Sequence, residues 1–389
     1  MMGWFGRKSA PADARPCVPG WQTGWLHNDA AEEGFACSYE ARYREVYERN
    51  PVGQRSVRLV AGMLGALTID CLEGDARAVD LIQADGLLEN IAANLLLHGN
   101  AYVRLLADDH DRPAELCLLR PERVDVVADD RGWPVAYLYR SGQQQTRYAR
   151  VDGLARRQLS HIKALSPRDD HYGMGCLGVA CPGATVHNRA SRWNKALLDN
   201  GARPTGTLTY EPADGSLLSA EQFRRIKEEL ADEFAGAGNA GRPMLLDGGL
   251  KWQAMSMTPA DMDFIALKEG AARDVALAFG VPPVLVGLPG DATYANAREA
   301  GRALYRQTIL PMAARILGAL EAMLSDWLGP IRLAVDTDQI SELAEDRASL
   351  WQQVGAASFL TDEEKRAMLG FTVVEARPPN DWNGGSAGN

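Results

Sequence analysis

Apolar residues along the chain recur three and four apart in long windows and alternate in short ones, and the two periods divide the sequence into elements. The helical period predicts helices over 54–66 and 86–98, the second with Leu87, Ile91, Leu95 and His98 on one face. Gly99 and Asn100 end it, and 101–106 reads as a strand. Short strands are expected at 115–119, 123–128, 135–140 and 159–165, with an Asp129-Asp130-Arg131-Gly132 turn between the second and third. These predict an antiparallel β patch on a helical base, an α+β fold.

The second half is mainly helical. A helix is expected over 177–200, although Pro182 lies near its start. The stretch from Asn200 to Tyr210 breaks it and begins a strand. Ser219 and Gln222 form a capping box that opens a helix over 220–234. Strands at 244–246 and 251–255 complete a small α/β insert at 201–257. Thr258 as N-cap, Pro259 at the first helical position and Asp261 in the first turn then start a helix that runs to Phe279. Its apolar residues cover about half of a 100° wheel, with Asp263, Glu269, Arg273 and Asp274 opposite. Two accounts fit equally: a helix packed between like neighbours with one polar strip facing a lumen, or a well-buried helix of any large domain. Asn296 and Glu299 suggest another capping box, opening a helix that reaches Trp327 and is kinked by Pro311. A strand at 331–335 and a helix capped by Thr361 and Glu364, ending at Gly370, follow. The first 50 residues and the tail 371–389 carry weak periodic signals and are expected to be partly ordered and disordered, respectively.

A chain of 389 residues is long enough for two or three compact regions. Its net charge of −10 lacks the basic footprint of a conventional DNA-binding domain and is the default of many cytosolic proteins. Six scattered cysteines with no CxxC pair suggest neither a zinc site nor a disulfide framework. The N-terminus has charges and prolines where a signal peptide needs an apolar core. The apolar uncharged run 275–290 is broken by glycines and prolines and is too short to span a bilayer. A soluble protein in a reducing cytoplasm, with no membrane partner, is the expectation.

Candidate chemistry is sparse. Gly173-Met174-Gly175-Cys176-Leu177-Gly178 is a literal GxGxxG, the basis of a dinucleotide-dependent enzyme as an alternative reading. Seven residues separate it from the preceding strand, Pro182 falls in the next helix's first turns, and no βαβ alternation precedes it, so accidental occurrence is the better account. Asp169-Asp170-His171 reads as a solvated turn before a metal fragment, Asp336 and Asp338 as caps, and His98 as a satisfied core histidine. Arg55, Arg58, Arg120, Arg123, Arg147, Arg150, Arg156 and Arg157 are interleaved with acids and read as a solvated surface or subunit contacts. P-loop and HExxH motifs are lacking. No catalytic residue, metal or cofactor is expected.

The remaining distinctive feature is a cassette at 279–311. A helix ends at Gly280, a stiff apolar loop carries Pro282, Pro283 and Pro289, and a long helix with Pro311 follows. The order Gly280-Val281-Pro282-Pro283, Leu285-Val286-Gly287, Thr293-Tyr294-Ala295-Asn296 and Thr308-Ile309-Leu310-Pro311 resembles the portal (head–tail connector) proteins of long-tailed bacteriophages, prophages and gene transfer agents. Segments such as LLLHGNAYVRLL, LRPERVDVV and NGARPTGTL extend the resemblance over about 50–370. It implies a portal-type fold: a wing at 1–175 and 296–335, stem helices at 176–200 and 258–280, a clip at 201–257, a tunnel loop at 281–295 and a crown at 336–370. It further implies a dodecameric ring at one capsid vertex of a virion, assembled in the bacterial host cytoplasm, through which double-stranded DNA passes. The implied partners are the terminase large subunit, then a head–tail adaptor, and the major capsid protein. The tunnel loop meeting DNA would be Leu288, Pro289, Gly290, Asp291, Ala292, Thr293, Tyr294 and Ala295, stiffened by Pro282 and Pro283, with Glu269 and Arg273 facing the lumen. Another virion structural protein, an adaptor or capsid component, is the second alternative.

Overall fold

The computed structural model describes residues 17–18, 38–199, 206–210, 219–234, 250–254, 264–289 and 293–369. They form two compact units, divided between Val335 and Asp336.

The first unit is built on helices. Helix α1 (Tyr39–Tyr43) passes into a π-helical turn at Arg44–Glu48, and α2 (Pro51–Gly65) follows. Asn50 caps α2 through its Oδ1, which accepts from the amides of Val52 and Gly53, while Pro51 supplies the preset first helical residue. Strand β2 (Ile69–Glu73), α3 (Arg77–Gln83) and α4 (Leu87–Leu97) come next. Helices α2 and α4 pack together, burying Val57, Val60 and Leu64 on one and Leu88, Ile91 and Leu95 on the other. At about 1.5–3 kcal/mol for each fully buried aliphatic, such a seam outweighs any single surface contact. Residues 38–50, expected to be only partly ordered, are thus helical and joined to the base.

The β patch is two antiparallel sheets. Strands β3 (Asn100–Ala107), β4 (Pro113–Leu119) and β8 (Leu159–Lys163) form one in the order β4-β3-β8. The other joins β1 (Cys17–Val18), β5 (Val124–Ala128), β6 (Pro134–Ser141) and β7 (Gln144–Ala149) in chain order. Tyr102, Leu119, Val124, Val126, Tyr137, Leu159 and Tyr172 form their common core. The Tyr172 hydroxyl accepts from the Val126 amide at 2.8 Å, and buried Asp125 pairs with Arg140 at 2.6 Å. Strand β7 was not expected, because its Gln-rich sequence lacks alternating apolar residues. It pairs with β6 on one side only and is largely exposed.

Helix α5 (Leu177–Asp199) and α7 (Phe264–Ala278) make a hairpin. Between them in sequence lie β9 (Gly206–Tyr210), α6 (Ala220–Phe234) and β10 (Leu250–Ala254), with β9 and β10 paired antiparallel. The Ser219–Gln222 capping box is present, with bonds of 3.2 and 3.0 Å. The expected strand 244–246 and the Thr258 cap lie outside the described residues. The hairpin seam is small-residue: Ala180, Cys181 and Ala184 are buried on α5, and Ala271, Ala272 and Ala276 on α7. A side chain at Gly183 would press on the Ala271 carbonyl at 3.1 Å.

Helix α8 (Tyr294–Leu304) begins before Asn296, and this corrects the expected start. Thr293 is the N-cap, its Oγ1 accepting from the Asn296 amide at 3.2 Å. Two overlapping cap signals compete here, and the earlier one wins. Tyr294 and Ala295, expected in the loop, are helical. A π-turn at Tyr305–Ile309 joins α8 to α9 (Leu310–Leu328), where Pro311 sits in the first turn. The effect of Pro311 is thus a widened turn just before it, which eases the clash of its ring with the preceding carbonyls. The helical stretch 295–328 is long and apolar enough by composition to cross a membrane, but Ile316, Leu320, Met323 and Leu324 are buried within the unit. Strand β11 (Arg332–Val335) closes the unit by pairing with β2.

The second unit contains α10 (Ala344–Ala356) and α11 (Asp362–Met368). Thr361 and Glu364 form the expected capping box. Asp336 accepts from the Asp338 amide at 2.9 Å, a cap as expected and not half of a carboxylate pair.

Candidate functional site

The cassette begins at the end of α7. Gly280 takes φ +67°, and the chain closes with Val281 N–H donating to the Ala276 carbonyl and Gly280 N–H to that of Leu277. This paired closure needs a left-handed residue, which glycine supplies without steric cost. Pro282 and Pro283 lead into a 3₁₀ turn, Pro283–Val286, stapled by Leu288 N–H donating to the Pro283 carbonyl at 3.2 Å. The first half of the loop is therefore a folded pedestal.

Two side chains fix this pedestal. Thr308, in the π-turn, donates its hydroxyl to the Gly280 carbonyl at 3.0 Å. Arg273 donates Nη2 to the Pro289 carbonyl at 2.8 Å and lies 3.5 Å from Glu269 one turn earlier. The structure thus brings Glu269, Arg273, Leu288 and Pro289 together, with Leu288 and Glu269 lining one crevice. Thr293 caps the next helix, while Gly290, Asp291 and Ala292 lie outside the described residues. On the hairpin, Val179, Ile265, Leu267 and Leu277 are exposed apolar residues. On α7 the wide apolar belt therefore divides into a face buried against α5 and a face open to solvent.

Gly173 and Gly175, two of the GxGxxG glycines, serve packing. A Cβ on Gly173 would lie 2.1 Å from the Gly99 carbonyl oxygen, and one on Gly175 would lie 2.5 Å from that of Leu97. Backbone crossing at this distance leaves no side-chain room. Asn100 locks the crossing: its Oδ1 accepts from the Gly173 amide at 2.8 Å and its Nδ2 donates to the Gly173 carbonyl at 3.1 Å. His161 Nε2 lies 3.0 Å from the same Oδ1, and the ring stacks on Tyr102 at 4.2 Å. Burial holds the His98 pKa down at about 4 and pushes that of His161 well below the ordinary range. Asp169 accepts from the amides of His171 and Tyr172, a turn as expected. Among the described residues no group of His, Cys, Asp or Glu could hold a metal ion.

Of the dispersed arginines, Arg156 and Arg157 have structural partners. Arg156 bridges Asp111 and Asp152 and lies over the Trp327 ring at 3.9 Å. Trp327 Nε1 donates to the Arg157 carbonyl at 2.8 Å. The strand region is thereby fastened to the end of α9. Sequence reasoning missed Asn50, His187 and Asn188, which form a buried polar joint between α2 and α5. The adjacent Asn50-Pro51 was the available signal, an N-cap followed by proline.

The family described as phage portal protein matches residues 54–370. An uncharacterized protein of Rickettsia bellii is 36% identical over 351 residues, covering 85% of this chain and 89% of its own. The portal protein of Enterobacteria phage HK97 is 26% identical over 307 residues, covering 73% and 68%. A chain in the virion of a native gene transfer agent particle is 44% identical, with a TM-score of 0.67, covering 86% of this chain and 93% of its own. A related structure is the neck of such a particle, computed with C12 symmetry, at 44% identity and a TM-score of 0.66. An HK97 family phage portal protein from Corynebacterium diphtheriae shares the fold at 18% identity, with a TM-score of 0.53 over 75% of this chain and 93% of its own. With the family matched from Arg55's neighbour Gln54 to Gly370, and the glycine-closed cassette inside that range, this chain belongs to the phage portal protein family.

Proposed function

We propose that the chain is the subunit of a dodecameric portal ring at one capsid vertex of a phage or gene-transfer-agent particle, forming the channel through which double-stranded DNA enters and leaves. The observation that carries this reading is the 44% identity, over 86% of this chain, to a chain in a particle neck computed with C12 symmetry. The terminase large subunit docks on the ring during packaging, the head–tail adaptor replaces it, and the major capsid protein surrounds it. Within the protomer, 1–175 and 296–335 serve as wing, α5 and α7 as stem, 201–257 as clip and 336–370 as crown. The role is structural, with no chemistry performed by the ring itself.

The exposed apolar face of α7 supports a helix set between neighbours, since four large exposed apolar residues on one hairpin otherwise cost solubility. Residues 288–295 meet the DNA. The pedestal, held by Arg273 and Thr308, gives that loop a fixed root, while Glu269 and Arg273 line the lumen beside it. Single-particle images of the purified protein should contain rings with a central hole, and deletion of 287–293 should spare the rings while impairing packaging or retention of DNA. A uniform monomer when coassembled with capsid protein would refute the ring, and intact packaging by the deletion variant would refute the loop's role.

A further inference from the structure

A sheet ends in strands whose outer backbone groups lack partners, and folded chains cover or blunt such edges. In the two sheets of the β patch, three of the four edge strands are treated in this way. Strand β8 lies against α9, with Ser160 Oγ donating to the Ala319 carbonyl at 3.2 Å. Strand β4 opens on Pro113 and packs on α3 and α4. Strand β1 is two residues long, between Pro16 and Pro19. Strand β7 differs. Among the described residues only β6 pairs with it, the register between the two has no bulge, and the strand contains no proline. Gln144, Gln145, Thr146, Arg147 and Ala149 are exposed.

The phase of the ladder fixes which groups are open. Ala149 faces Ala136, so Arg150 faces Val135, and the Arg150 amide donates to the Val135 carbonyl at 3.0 Å. Bonded and non-bonded pairs alternate along an antiparallel ladder, so Tyr148, Thr146 and Gln144 are the residues bonded to β6. The two-residue turn at Gly142 and Gln143, with Gly142 at φ +60°, closes on the Ser141–Gln144 pair in the same phase. The N–H and C=O groups of Gln145, Arg147 and Ala149 therefore point away from β6.

This hairpin also has one sign of charge. Residues 131–151 contain Arg131, Arg140, Arg147 and Arg150 and no Asp, Glu or Lys, in a chain of net charge −10. Arg140 is paired with Asp125 at 2.6 Å. Arg131 and Arg147 are exposed, and neither guanidinium has an ion-pair partner among the described residues. Arg150 Nη1 donates to the Pro134 carbonyl at 3.5 Å, beside the exposed Trp133 and Val151. Tyr148 packs on the sheet core under Arg104, whose guanidinium lies 4.7 Å from its ring, so an approaching chain meets β7 from the edge.

We propose that β7 is a docking edge for an extended, carboxylate-bearing segment of a partner protein, which joins this sheet as a further strand. An extended peptide supplies both donors and acceptors to the open groups of Gln145, Arg147 and Ala149. A carboxylate facing Arg147 across the new pair brings the charge that the hairpin itself lacks. An apolar side chain at the Ala149 end covers Trp133 and Val151. A nucleic-acid backbone would meet the arginines, but its phosphates only accept, and the three outward carbonyls would gain no partner.

The test titrates a labelled, end-blocked peptide of alternating valine and glutamate with the full chain, followed by fluorescence anisotropy. Saturable binding is expected, and the same peptide with lysine in place of glutamate should not bind. In antiparallel pairing a residue facing Arg147 exchanges both bonds with it, so N-methylation of the glutamate amides should weaken binding about tenfold or more. Arg147→Gln should weaken it about tenfold, the loss of one charge-assisted contact. Gln145→Pro should abolish it and leave the β6 pairing intact, since the amide it removes points outward. Melting curves identify any variant that is unfolded, and the methylated peptide probes the same edge in the unaltered protein. No saturable binding of the glutamate peptide, equal binding of its lysine counterpart, or unchanged affinity on methylation would overturn the proposal. So would a short DNA duplex whose binding Arg147→Gln removes and Gln145→Pro leaves unchanged, which would assign the arginines to nucleic acid.

Discussion

In the two-sheet region Tyr102, Val124, Val126 and Leu159 are no more than 2% exposed, whereas on the α5–α7 hairpin Ile265 and Leu277 are each 76% exposed. The contrast extends to residue size. Tyrosines and branched aliphatics fill the sheet core, while the hairpin seam is mostly alanine, glycine and cysteine, with Val275 packed at Gly183. Polar groups differ as well. Asp125, Asn100 and Tyr172 find partners inside the sheet region, each from a different element. The sheet region thus completes its burial within one chain. The hairpin brings two backbones close together and leaves Val179, Ile265, Leu267 and Leu277 outward, as a surface awaiting a neighbour does.

The strongest way to break this comparison is Gly99→Ala. Gly99 has φ +85°, and its new Cβ would lie 2.4 Å from the Gly175 amide nitrogen. A loss of roughly 3 kcal/mol or more is expected, read as a lower thermal midpoint of the first unit. An unchanged midpoint would mean that the 173–175 crossing contributes nothing to the sheet region. Next is Leu277→Asp on the open face of α7. Protomer stability should change by no more than about 0.5 kcal/mol, while ring formation is lost in mass photometry. Rings of normal abundance would remove the hairpin's open face from the interface.

The smallest expected effect is the response to acid. His98 falls to about 4, and His161 is also depressed, against an unfolded value near 6.5. Between those values the unfolded chain binds more protons than the folded one, so stability falls as pH falls from about 6.5 toward 4. Burial is the leading cause for both, so the folded state keeps these rings neutral. Melting the protein from pH 7 to 4.5 should lower its midpoint, and His161→Gln should flatten that slope. An equal slope in the variant would place the acid sensitivity elsewhere.

Much of this was legible in the residues. Helix α5 ends one residue from its expected limit, and the Ser219 and Thr361 caps are local signals that need no distant partner. What the sequence concealed depends on contacts between distant positions. Strand β2 exists through β11, more than 250 residues later, and its own five residues mix charge and apolarity. Helix α10 buries only Val354, so it carries almost no amphipathic stripe to read. The start of α8 was misread because Glu299 completes a plausible box with Asn296, although Thr293 bonds first. At the candidate site, Glu269 and Arg273 were named from the polar side of a wheel. That Arg273 reaches the Pro289 carbonyl depends on where the pedestal folds, which no periodicity encodes.

The π-turn ahead of Pro311 has a consequence for rotation. One extra residue in a helical turn advances the angular phase of everything beyond it by about 100°, with a shift of about 1.5 Å along the axis. Tyr294–Leu304 and Leu310–Leu328 are therefore geared separately though they share one rod. The earlier segment can be aimed by the loop it follows, and the later one by the core it enters. Because proline has no N–H to restore a regular ladder, the offset is locked, and deleting one residue between 305 and 309 would turn Thr308's end of the rod away from Gly280.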